Sequence, residues 1–124
     1  MNEFYREHVG KEFFPNLSQA MLSDVTIGLE LVHDDAVKRW RDTLGPTNSA
    51  TAKQDAPNSI RAAFGVDNTL NACHGSDSQD SFQREAALWF GGMPATRPLK
   101  TTAVLNNCSL LLIKPHIVKE GLLG

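Results

Sequence analysis

The sequence contains no uninterrupted apolar stretch of the roughly 18 residues that a membrane-crossing helix requires. Its opening, Met1-Asn2-Glu3-Phe4-Tyr5-Arg6-Glu7-His8, has no apolar core of the kind a secretory signal carries. Neither sign of charge forms a long run and the net charge is only -2, so neither nucleic acid nor a membrane is expected as a general partner. Any anion binding must be local. Cysteine is scarce: Cys73 and Cys108 show no metal-ligand spacing, and without a secretory signal both are expected as free thiols. Together these absences predict a cytoplasmic protein. With 124 residues the chain can build one small core and not two.

What is present is a series of short periodic segments. Phe4, Tyr5 and His8 suit one face of a helix ending at Gly10, and Phe14, Leu17 and Met21 recur at i, i+3 and i+7, which predicts a second short helix. Val25, Ile27, Leu29 and Leu31 alternate with Thr26, Gly28 and Glu30, the period of a strand with one buried face. Asp34-Asp35 is placed to cap a helix that buries Val37, Trp40 and Leu44 and stops at Gly45-Pro46, with Arg41 flanking its apolar face. Residues 47–58 read as a loop, and 59–64 as a helical turn closed by Gly65. Phe82, Ala86, Trp89 and Phe90, at i, i+4, i+7 and i+8, predict an amphipathic helix from Gln79 to Phe90. Residues 91–107 read as a linker, and Cys108 to Ile113 as an apolar run of the kind found in buried strands, ending at Lys114-Pro115.

The chemistry concentrates in Asn71-Ala72-Cys73-His74-Gly75-Ser76-Asp77-Ser78. Gly75 permits close approach to the backbone beside His74, and Ser76, Asp77 and Ser78 can satisfy the free amides of the following helix. An imidazole among small polar residues can act as base, ligand or nucleophile. Glu85 falls at the edge of the apolar face of that helix, where a carboxylate needs a partner; His74 is the candidate. The plain alternative is a histidine in a capping loop that does no chemistry. A metal site built from His8, His33, His74 and His116 is disfavoured, because no pair has ligand spacing.

The Asn-x-x-His-Gly-Ser-Asp-Ser pattern resembles the active-site signature of the nucleoside diphosphate kinases, and the order of elements from Tyr5 to Phe90 agrees with it. The resemblance implies an α+β fold, an α/β sandwich in which helices cover an antiparallel ferredoxin-like sheet. It implies transfer of the γ-phosphate of ATP or another nucleoside triphosphate to a nucleoside diphosphate through a phosphohistidine on His74. In it Glu85 orients the imidazole, Ser76 is its neighbouring hydroxyl and Tyr5 the nearby tyrosine. Phe13 stacks on the base beside Leu17, Arg41, Thr47 and Arg61 hold the phosphates, and Asn71 contacts the ribose. Mg²⁺ is expected to arrive with the nucleotide, with no metal site on the protein. Lys11-Glu12, Ser23-Asp24-Val25 and residues 45–49 depart from the family pattern.

Against that pattern, residues 1–90 lack the first strand, helix and second strand of a kinase domain, while 108–124 resemble the opening strand of a second one. Such an arrangement resembles tandem members of the family associated with cilia and centrosomes, which implies microtubule or centrosomal partners and a location at the cytoskeleton, centrosome or cilium axoneme. A rival reading follows: a catalytically incomplete nucleotide-binding or structural module of such an assembly. The two defects can also cancel. Extended at about 3.3 Å per residue, the linker spans on the order of 50 Å, so the strand ending at Lys114 can occupy the vacant position next to residues 25–32 or the segment leading to His74. Lys114 would then stand where the family's missing lysine meets the phosphates.

Overall fold

The structure is a computed structural model that describes residues 1–91 and 108–122. Apart from Gly91, the expected linker lies outside the described residues. Helix α1 (Phe14–Leu22) carries Pro15 in its first turn, where a missing amide costs nothing, and buries Leu17 and Met21. Strand β1 (Ile27–Val32) follows, then helix α2 (Ala36–Leu44), closed by Gly45 in a positive-φ conformation. Asp35 stands at the N-cap of α2 but makes no side-chain capping bond, so the expected cap is one of position only.

The expected loop over 47–58 is in part a helix, α3 (Ser49–Asp55). Asn48 Oδ1 accepts from the amides of Ala50 and Thr51 at 2.9 and 3.0 Å, a cap readable from sequence. The helix buries only Ser49 and Ala52, so it has no apolar stripe for a periodicity argument to find. Helix α4 (Ile60–Phe64) begins at a Ser59 cap, strand β2 (Cys73–Gly75) carries His74, and helix α5 (Gln79–Phe90) has the predicted ends, with Ser78 as its cap. Strand β3 (Cys108–Ile113) and helix α6 (Pro115–Lys119) complete the described elements. The first ten residues do not form the expected helix; a single 3-10 turn covers Arg6–His8. Phe4 and Tyr5 are both drawn into the core, and that burial overrides a weak local pattern.

The sheet has the order β1-β3-β2, antiparallel throughout. The segment resembling the opening of another domain is therefore its central strand, pairing Ile27 with Ile113 and Val32 with Cys108 on one side, and Cys73 with Ile113 and Gly75 with Leu111 on the other. Leu110 and Leu112 are fully buried and Leu111 nearly so, as a strand covered on both faces requires. Among the described residues β1 pairs only with β3; its expected buried face is half-buried at Ile27 and Leu31 and exposed at Leu29.

Gly28, Leu112 and His74 share one face of the sheet, where Trp89 of α5 packs within 3.0 Å of where a Gly28 Cβ would stand. Gly75 and Leu111 share the other, where a side chain on Gly75 would collide with Trp40 and Leu44 of α2. The glycine after His74 is thus required by the close approach of an indole. Among the described residues two core clusters result, one with Phe4, Tyr5, Phe82, Leu110 and Leu112, the other with Leu44, Ala72, Cys73 and Ile117. The result is the expected α+β arrangement, an antiparallel sheet with helices packed on it. No helix among the described residues is long and apolar enough to cross a membrane.

Candidate active site

Strand β2 is held rigidly from the α2 and α4 side. Its carbonyls at Cys73, His74 and Gly75 accept from Arg61 Nη2 at 3.1 Å, Trp40 Nε1 at 3.2 Å and Arg41 Nη1 at 3.5 Å. Ala72, just before it, has φ 70, a conformation costly for a residue with a Cβ and often found at functional sites. It is pinned there because its carbonyl accepts from the Lys114 amide at 2.9 Å and its amide donates to His116 Nε2 at 3.3 Å. The position of His74 therefore depends on the strand that follows the linker.

On the opposite face His74 Nε2 lies 2.9 Å from Glu85 Oε2, and Ser76 Oγ donates to the same oxygen at 2.7 Å. A carboxylate only accepts, so Nε2 carries the proton and Nδ1 keeps its lone pair. Ser76 Oγ also accepts from the Leu110 amide at 3.4 Å, tying Glu85 to the central strand. Phe4 stands edge-on to the imidazole at 5.2 Å between centroids and Tyr5 at 6.3 Å. Burial, assisted by the charge of Glu85, pushes the Tyr5 phenol well above its usual range, so it remains protonated.

A cavity of about 620 Å³ opens from His74, and every predicted site residue except Ser76 lines it. Arg61 is 6% exposed; its Nη1 donates to the Gly45 carbonyl at 2.9 Å and to Thr47 Oγ1 at 3.4 Å. Arg41 and Thr47 are exposed at the rim. Asn71 Nδ2 donates to the carbonyls of Thr47 at 3.1 Å and Asn68 at 3.0 Å. At the mouth Phe13, half exposed, meets His8 edge-on at 5.4 Å, and His8 stacks on Tyr5 at 5.7 Å. Leu17 lies deeper, shared with the core. Sequence reasoning missed Glu7, His8 and Arg84 as lining residues; adjacency of Arg84 to Glu85 was the available signal for the last.

Lys114 enters the cavity from the end of β3. Its Nζ donates to Asn71 Oδ1 at 2.6 Å and to the Thr69 carbonyl at 2.8 Å. Burial, with Arg61 nearby, lowers its pKa to about 8. The ammonium is therefore present below that pH and lost above it, so the affinity for a phosphate-bearing ligand should fall as pH rises through about 8. Titration of ADP at pH 7 and pH 9.5 should show weaker binding at the higher pH, and Lys114→Met should remove most of that difference. An equal pH dependence in the variant would assign it to another group. Among the described residues no group of three or more His, Cys, Asp or Glu side chains gathers to hold a metal ion.

Residues 1–94 match the family model described as nucleoside diphosphate kinase. The chain is 41% identical over 122 residues to nucleoside diphosphate kinase homolog 7 of Rattus norvegicus, an alignment covering 98% of this chain and 31% of that protein. It is 45% identical over 91 residues to the nucleoside diphosphate kinase of Aquifex aeolicus, covering 73% of this chain and 64% of that one. A crystal structure of the Aquifex aeolicus nucleoside diphosphate kinase superposes with a TM-score of 0.63 at 40% identity, over 72% of this chain and 63% of the other. An α+β domain with a histidine and a buried carboxylate at the floor of a cation-lined cavity is the class this defines. The chain belongs to the nucleoside diphosphate kinase family, and it spans about a third of the length of its homolog 7 relative.

Proposed function

We propose that this chain transfers the γ-phosphate of a nucleoside triphosphate to a nucleoside diphosphate through a phosphohistidine on His74. The observation that carries the reading is the His74–Glu85 pair at 2.9 Å, which leaves Nδ1 as the free nitrogen of a ring lining a cavity with Arg41, Arg61 and Lys114. The Nδ1 lone pair attacks the γ-phosphorus, and the bond to the β–γ bridging oxygen breaks with its electrons leaving on the nucleoside diphosphate. In the return step a terminal oxygen of the acceptor diphosphate attacks the phosphorus and the N–P bond breaks, restoring neutral imidazole. Glu85 stabilises the charge that develops on the ring, Arg41, Arg61 and Lys114 offset the charge of the phosphates while the Thr47 hydroxyl hydrogen-bonds to them, and the resemblance assigns Asn71 to the ribose. Mg²⁺ bound with the nucleotide would offset part of the phosphate charge, beside Arg41, Arg61 and Lys114.

The test is exchange of label from γ-labelled ATP to GDP by the purified chain. Label on GDP with the kinetics of a covalent intermediate is expected; protein that binds ADP yet exchanges nothing would support the rival module without turnover. A cytoplasmic chain with microtubule or centrosomal partners at the cilium, centrosome or cytoskeleton belongs to the same proposal and rests on the resemblance of the sequence to tandem members of the family. Co-sedimentation with polymerised tubulin tests it.

The residues assigned to the base, Phe13 and Leu17, are aromatic and apolar and line the cavity. Stacking contributes roughly 1 to 3 kcal/mol per base and tolerates any base. Dissociation constants for ADP, GDP and CDP should therefore agree within about tenfold, and a hundredfold preference would require a polar reader.

A further inference from the structure

Glu85 uses only one of its oxygens on His74 and Ser76. Both bonds go to Oε2, while Oε1 lies 3.9 Å from Nη2 of Arg84, the preceding residue of α5. Glu85 is 5% exposed, so the orientation of its carboxylate depends on what surrounds it. Arg84 lines the same cavity, its Nη2 is 3.6 Å from Glu7 Oε1, and its Nε is buried with no hydrogen-bond partner among the described residues. Glu7 belongs to the 3-10 turn next to Tyr5. The guanidinium thus sits between an exposed carboxylate that contributes little and a buried one whose free oxygen faces it.

We propose that Arg84 is a positioning residue for the nucleophile: through Oε1 it holds Glu85 turned so that Oε2 meets both Nε2 of His74 and Oγ of Ser76. This rests on the reading of His74 as the nucleophile. Without the guanidinium at Oε1 the carboxylate is free to rotate. The imidazole then loses the acceptor that keeps its proton on Nε2, and Nδ1 is no longer the nitrogen consistently available. Arg84 acts on the ring through Glu85 and leaves the phosphates to Arg41, Arg61 and Lys114. Its removal should therefore slow phosphorylation of the enzyme without weakening nucleotide binding.

The experiment uses the full chain and the variants Arg84→Met, Arg84→Lys and Arg84→Gln. Three quantities are read: the single-turnover rate of label incorporation from γ-labelled ATP, the affinity for ADP, and the tautomer of His74 from imidazole nitrogen NMR without nucleotide. Arg84→Met should lower the rate at least about tenfold, because misplacing a reacting group by about 1 Å can cost on the order of 100-fold. ADP affinity should stay within about threefold, Arg84→Lys should restore most of the rate, and the His74 signal should change from one Nε2-protonated form to a mixture. If Arg84→Met does not fold, Arg84→Gln, which removes the charge and keeps a polar end, is read in the same way. An unchanged rate and tautomer, or a parallel fall of rate and ADP affinity, would overturn the proposal. If the unaltered chain takes up no label, the kinase reading fails, and the NMR comparison still decides the part assigned to Arg84.

Discussion

Replacing His74 by glutamine should reduce label exchange between ATP and GDP to background while the protein stays folded and binds ADP. Glutamine keeps a hydrogen-bond donor for Glu85 Oε2 and removes the only nitrogen in that position with a free lone pair. The ring is not a large part of the core: the β2 carbonyls are held by Arg61, Trp40 and Arg41, and none of these bonds uses the imidazole. Covalent catalysis has no partial substitute here, because the route through two easier displacements disappears with the nucleophile. Exchange that survives in the variant would assign the chemistry to another side chain.

The second large effect concerns the central strand. Leu112 is fully buried, stands in register with Gly28 on one neighbour and His74 on the other, and packs in the cluster with Phe82 and Leu110. Leu112→Ala should cost about 2 to 5 kcal/mol, as for large-to-small changes in well-packed cores. Leu112→Asp, which buries a charge without a partner, should abolish the cooperative unfolding transition. A domain of this size has a margin of only about 5 to 15 kcal/mol, and the strand also carries Lys114 and the amide that fixes Ser76. Urea denaturation followed by circular dichroism measures both. A Leu112→Asp protein with an unchanged midpoint would mean that the strand is dispensable and that residues 1–91 hold their own fold.

Much of this architecture was legible in the sequence because it is written in apolar spacing. Helix α5 has the predicted ends since Phe82, Ala86, Trp89 and Phe90 mark one face and Ser78 and Gly91 close it. Strand β3 was legible as buried, and the resemblance supplied the reason that it could fill a vacant position; its place between β1 and β2 is a matter of pairing, which no local pattern encodes. Helix α3 was missed because it buries small residues and shows no stripe. The first turn was misjudged because Phe4 and Tyr5 follow the core and the imidazole, contacts distant in sequence.

The site was legible for a different reason. The motif around His74 and the spacing to Glu85 identify a pair whose bond the structure places at 2.9 Å, and the cations that line the cavity fall at positions that the resemblance marks. Spacing alone could not show that Arg61 is buried with its guanidinium bonded to the Cys73 carbonyl, since that depends on how α4 packs against β2. Nor could it show which oxygen of Glu85 is engaged, from which the role of Arg84 follows.

The central claim is that phosphate rests on Nδ1 of His74 between the two half-reactions, and phosphorus and nitrogen NMR of the chain after incubation with Mg²⁺ and ATP test it most directly. The account predicts one phosphohistidine signal, coupled to Nδ1 of His74, stable in base, lost in acid and discharged on adding GDP. A phosphate on Nε2, on Ser76 or another hydroxyl, or on a different histidine would contradict it.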